Sequence, residues 1–180
     1  MTAFERVCRA YGSVLRVLGY ISGGAAFVMM FLIVANAASR KLFNHPLEGT
    51  HEMTESSMVL VVFLALAYTQ MKGGHIRIAL LTRYLPVRRQ HLFFFFALTV
   101  AGLFFAWASY GTLQFAIEAF SVGERTWGNV PYPVWPLKGM ISIGLALLSI
   151  QFFLDAIRDL LIASGRLQDG VVGLTAEGEL

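Results

Sequence analysis

The stretch LFFFFALTVAGLFFAWASYGTLQFAI, Leu92–Ile117, holds no charged residue and opens on four consecutive phenylalanines, Phe93 to Phe96. As a helix it is about 39 Å long at 1.5 Å per residue, enough to cross a hydrocarbon core of about 30 Å. Three further uncharged runs lie around it: Val17–Ser39, Ser56–Met71 and Gly139–Leu154. The first of these is long enough to span by itself. The other two complete a span only with their polar flanks, where Lys138 can extend its amine to the headgroups and Tyr132 and Trp135 suit the same layer. The whole chain of 180 residues is 57% hydrophobic and only 14% charged, which leaves too little polar surface for a soluble domain with four buried helices. The expected fold is an all-α membrane protein with four transmembrane helices over about 17–39, 54–71, 91–117 and 135–155. Residues 1–165 form its single domain, and residues 166–180, glycine-containing and poor in large apolar groups, read as a flexible cytoplasmic tail.

The distribution of Lys and Arg sets the expected orientation. With the N-terminus inside, the inner segments carry Arg6, Arg9, Arg16, Lys72, Arg77, Arg83, Arg88, Arg89, Arg158 and Arg166, and the outer ones Arg40, Lys41, Arg125 and Lys138. Both termini are therefore expected in the cytoplasm. Glu52 and Glu55 at the outer N-terminal end of the second span, and Lys72 at its inner end, agree with the helix dipole. Before the first span, Thr2 and Glu5 can form a capping box, and Phe4, Val7, Cys8, Tyr11, Leu15 and Leu18 recur at helical spacing opposite Glu5, Arg6, Arg9 and Arg16. This predicts an N-terminal amphipathic helix on the inner leaflet that turns into the first span. The first apolar run is too long for a signal-peptide core and has sixteen residues ahead of it, so the span is expected to be retained.

Between the second and third spans lies KGGHIRIALLTRYLP, Lys72–Pro86. Gly73 and Gly74 can end one helix and Pro86 delays the next. Ile76, Leu80 and Tyr84 share a helical face, with Arg77 and Thr82 elsewhere, so a short amphipathic cytoplasmic element in contact with anionic lipid is expected. RKLFNHPLEGTHEMTE and SVGERTWGNVPYPVWP form the outer connections, the second non-helical because of Pro131, Pro133 and Pro136 and marked at the interface by Trp127, Tyr132, Trp135 and Lys138. The fourth helix is expected to continue through DAIRDLLIASG, with Leu154, Ile157 and Leu161 on an apolar face and Asp155, Arg158 and Asp159 in solvent. Small-residue pairs at Ser22/Ala26, Ala97/Ala101 and Gly102/Ala106 suggest close helix contacts.

Catalytic chemistry is not written in these residues. The four histidines, His45, His51, His75 and His91, lie outside the apolar runs or at their edges, where a transmembrane haem would want them inside facing spans. The lone Cys8 has no partner for an internal disulfide, and no nucleophile sits with a base. Neither a cofactor, a metal centre nor nucleic-acid binding is expected. The runs hold no ionisable residue that would mark a substrate path; Asn36, Gln70, Gln114 and Gln151 suit contacts between helices. The residues alone describe an accessory four-helix membrane protein, with a stand-alone oligomeric channel or transporter and a redox-complex anchor as the other readings.

Arg40–Pro86 resembles the small transmembrane subunit of tripartite ATP-independent periplasmic (TRAP) transporters. The likeness rests on Arg40 after the first span, Pro46 and Glu52 in the outer loop, Phe63 and Leu64 in the second span, His75, Ile76 and Ile78 in the cytoplasmic element, and Leu85–Pro86 before the third span. The entry to the fourth span, Pro131, Trp135 and Pro136, is similar too, and the resemblance extends over roughly 14–161. Ala79 stands where an Asp commonly follows the His-Ile element, and Ala65 where a Gly is frequent. The resemblance implies a place in the bacterial inner membrane and two protein partners. One is a large membrane subunit with the substrate and Na⁺ sites; the other is a periplasmic binding protein that delivers an organic acid anion. It also implies a bracing role, with His75, Ile76, Arg77, Leu80 and Tyr84 at a partner or lipid interface and Glu52 and Glu55 as outer polar contacts.

Overall fold

The computed structural model describes residues 3–72, 87–127 and 130–164. They form four helices, α1 (Ala3–Phe43), α2 (Thr50–Met71), α3 (Val87–Val122) and α4 (Trp135–Ala163), and all four are long and apolar enough to cross a membrane. Helix α1 packs on α2, α2 on α4 and α4 on α3, so the order in space is α1–α2–α4–α3. The arrangement is an open row and not a closed bundle. Helix α4 buries 44% of its most apolar stretch, against 6%, 11% and 6% for α1, α2 and α3. Among the described residues nothing covers the outer flanks of α1 and α3.

The turn expected before the first span does not form: α1 runs unbroken for 41 residues. Its inward positions repeat every seven residues, as Cys8, Leu15, Ser22, Met29 and Asn36 and as Tyr11, Leu18, Ala25, Leu32 and Ser39, all buried or half-buried. A seven-residue repeat holds one seam against a neighbouring helix along its whole length. The apolar stripe that suggests a lipid-facing surface is the first part of that seam. Leu15 lies in the core with Ala67, Met71, Leu148 and Phe152, and Tyr11 donates to the Leu147 carbonyl of α4 at 2.5 Å. Bending the helix at Arg16 would break these contacts, whereas Val7, 57% exposed, lies off the seam.

Small residues set the distances in the row. A Cβ at Gly144 would run into the Phe63 carbonyl, which marks the tightest glycine contact between α2 and α4. Gly19 lies against the Tyr68 ring and Gly102 against the Phe153 ring. Hydroxyls then tie helix to helix. Ser22 donates to Val61 O at 2.7 Å, Ser149 to Gly102 O at 2.8 Å, and Ser109 and Ser142 donate to each other's carbonyls at 2.8 and 2.9 Å. In hydrocarbon such bonds satisfy groups that have no water to turn to. Of the small-residue pairs, Ser22/Ala26 faces α2, but Ala97 and Ala106 point outward, and Gly102 works with Ser109 on the next heptad instead.

Candidate functional site

At the end of the row that carries both connections, residues 44–49 and 123–134, the chain is held by its own polar groups. Asn44 and Gly49 have φ of 53° and 76°, the left-handed region in which glycine is least strained, and a side chain at Gly49 would also press on Val130. Ser39 donates to His45 O at 2.8 Å, Asn36 Oδ1 accepts the Leu47 N–H at 3.0 Å, and Thr50 donates back to Leu47 O at 2.8 Å. A cleft of about 420 Å³ opens here, lined by Asn36, Arg40, Leu47, His51 and Glu52 among others. The Glu52 side chain is buried, while Glu55 faces out.

The second connection folds into a short bridge. Thr126 N–H donates to Tyr132 O at 3.0 Å and Val134 N–H to Glu124 O at 3.1 Å. Tyr132 is thereby set over α2, its hydroxyl 2.8 Å from Ser56 Oγ and 3.3 Å from the Glu52 carbonyl. Among the interfacial residues expected from sequence, Trp127 is fully exposed and Trp135 packs edge-on to Phe120 with centroids 5.4 Å apart. Lys138 does not project alone; it pairs with Glu124 at 2.5 Å.

The opposite end, where α1 begins and α4 finishes, holds a polar cluster that overturns one expectation. Asp159 is not in solvent but 3% exposed, and Ile157, expected on the packed side, is 43% exposed. The C-terminal end of α4 is turned polar side inward. Gln70 Nε2 of α2 donates to Asp155 Oδ2 at 2.9 Å, Gln151 Nε2 donates to Asp155 Oδ1 at 3.0 Å, and His91 Nδ1 of α3 lies 3.1 Å from Asp159 Oδ1. The sequence carries the signal as Gln151, Asp155 and Asp159 at four-residue spacing. A rule for water-facing helices turns these residues outward, and that rule reverses where the surroundings are apolar. Gln70 Oε1 and Asp159 Oδ2 are buried without a hydrogen-bond partner. The cluster joins α2, α3 and α4 and offers no nucleophile. Among the described residues no group of three or more His, Cys, Asp or Glu is placed to hold a metal ion.

His75, Ile76, Arg77, Leu80 and Tyr84, the expected partner or lipid interface, lie outside the described residues, as does Ala79. The end of the tail, 166–180, does so too.

Comparison with curated proteins and with solved structures gives no match. Residues 5–161 match the family described as tripartite ATP-independent periplasmic transporters, DctQ component, a stretch that takes in α2 and α3 whole and all of α1 and α4 except two residues at the start of α1 and two at the end of α4. On that match the chain belongs to the DctQ family, the small membrane components of TRAP transporters.

Proposed function

We propose that the chain braces a large membrane subunit while that subunit carries out Na⁺-driven uptake of an organic acid anion delivered by a periplasmic binding protein. The observation that carries this reading is the open row. Its helix contacts are filled by side chains and close glycine approaches, while the flanks of α1 and α3 stay bare. A chain built this way offers partners a broad apolar surface. The polar cluster at Asp155 and Asp159 then serves as a clamp that keeps α2, α3 and α4 in register under the load of a moving neighbour. In mild detergent the large subunit is expected to co-purify with this chain, and calorimetry on the isolated chain is expected to show no saturable binding of an organic anion. Saturable binding would overturn the bracing role.

The proposed setting is the bacterial inner membrane with both termini cytoplasmic, and it is supported by the excess of Lys and Arg at the terminal end of the row. Residues 72–86 then meet anionic lipid and the large subunit through Ile76, Leu80 and Tyr84, with His75 and Arg77 at the headgroup level. Glu52 and Glu55 lie on the periplasmic side. In a Cys8→Ser background, Glu48→Cys is expected to react with an impermeant maleimide on intact spheroplasts. Reaction only after the membrane is permeabilised would reverse the orientation.

A further inference from the structure

The two bare flanks of the row differ in chemistry. The contacts of Ser109 with Ser142 and of Ser149 with Gly102 put Trp107 level with Gly144, half-way between Trp135 and Asp155 and so near the bilayer middle. Tyr110 and Gln114 follow about 5 and 11 Å further along the axis. At three and seven residues from Trp107 they share its face. Trp107 is 73% exposed, Tyr110 62% exposed and Gln114 also exposed, and none of the three makes a hydrogen bond among the described residues. Over the same depth the bare flank of α1 offers Gly24, Phe27 and Val28, and its one phenol, Tyr20, lies on the other side of the Trp107 level, toward the termini. Alkyl chains satisfy an apolar flank. They cannot satisfy an indole N–H and a phenol at this depth, which lose their water on entering hydrocarbon, while Gln114, level with Leu137, lies at the edge of the same stripe beside the Trp135 and Lys138 layer.

We infer that the α3 stripe Trp107–Tyr110–Gln114 is the docking face for a transmembrane helix of the large subunit that presents hydrogen-bond acceptors within the half of the bilayer nearer the connections. This rests on the small-subunit reading above and adds where the partner sits. A methyl group at Gly111, between Tyr110 and Gln114, would meet none of the described residues within 4 Å, so the stripe carries a notch that a neighbouring backbone can approach. A second copy of the chain does not fit the same face. In a membrane a symmetric pair places each residue at the depth of its own copy, so the Trp107 N–H, which only donates, would face another donor and would have to reach a full turn along the axis for an acceptor.

The test places a benzoylphenylalanine photoprobe at Trp107, Tyr110 or Gln114 on α3, and at Phe27 or Phe31 on α1, in the chain co-expressed with the large subunit. Irradiation is expected to give a covalent adduct with the large subunit from the α3 positions. A probe-free variant, Tyr110→Phe with Gln114→Leu, keeps the shape of the stripe and removes its hydrogen bonds. It is expected to lower recovery of the large subunit roughly tenfold, as two weak interhelical hydrogen bonds would. Adducts from α1 alone, adducts with a second copy, or adducts with lipid only would overturn the assignment, and so would unchanged recovery with the double variant. In those cases a large subunit that still co-purifies leaves the small-subunit reading standing. A large subunit that never co-purifies removes that reading, and the docking face with it.

Discussion

Gly144→Leu is expected to leave no properly packed chain to purify, and Gly144→Ala to lower resistance to denaturation by about 3 kcal/mol, the upper end for overpacking a close contact. The reason is the nature of the neighbour. A Cβ at this position meets the Phe63 carbonyl and backbone carbon, which belong to a helix and cannot swing aside as a side-chain tip does. Relief requires α2 and α4 to separate. That separation also strains the core of Leu15, Ala67, Met71, Leu148 and Phe152, which α1, α2 and α4 build together. Gly23→Ala is the matched control, because a methyl there meets nothing within 4 Å. Titration with a denaturing detergent, followed by tryptophan fluorescence, measures both. Equal midpoints for Gly144→Ala and Gly23→Ala would mean that the α2–α4 approach is looser than described.

His91→Ala is expected to cost about 3 kcal/mol, between the penalty for a buried acceptor stripped of its donor and that for a broken buried pair. Asp159 is 3% exposed and its second oxygen already lacks a partner, so removing the ring 3.1 Å from Oδ1 leaves the whole carboxylate unsatisfied. Asp159→Leu on the His91→Ala background takes away the stranded group, and most of the loss should return. The double-mutant cycle under the same denaturing titration decides the matter. Additive losses would show that the two side chains do not act together.

The four spans are legible because charge is absent from each over a length that only a membrane requires. The extent of the helices is less so. The seven-residue seam of α1 joins its amphipathic start to its apolar run, and the two differ in composition but not in what they pack against. The order α1–α2–α4–α3 leaves no clear trace in hydropathy, since a lipid-facing Phe27 and a packed Leu18 are equally apolar. What separates them is shape. Gly144 packs on Phe63, while Gly23, in a similar apolar setting, packs on nothing, and that difference depends on the partner helix and not on the local sequence. Asp159 escapes a local reading for a related reason: the choice between solvent and interior depends on where the bilayer ends, and its partner His91 is 68 residues away. The close tie of Tyr132 to Ser56 likewise joins positions 76 residues apart. Trp135 and Pro136 are readable as a helix start because proline is tolerated in the first turn, and α4 begins there.

The proposed bracing role leaves the solute to the large subunit. Proteoliposomes with a Na⁺ gradient and the periplasmic binding protein, loaded with this chain alone, the large subunit alone, or both, test it most directly by uptake of a radiolabelled organic acid anion. Uptake is expected only from vesicles that hold both chains. Uptake by this chain alone, or full uptake by the large subunit without it, would contradict it.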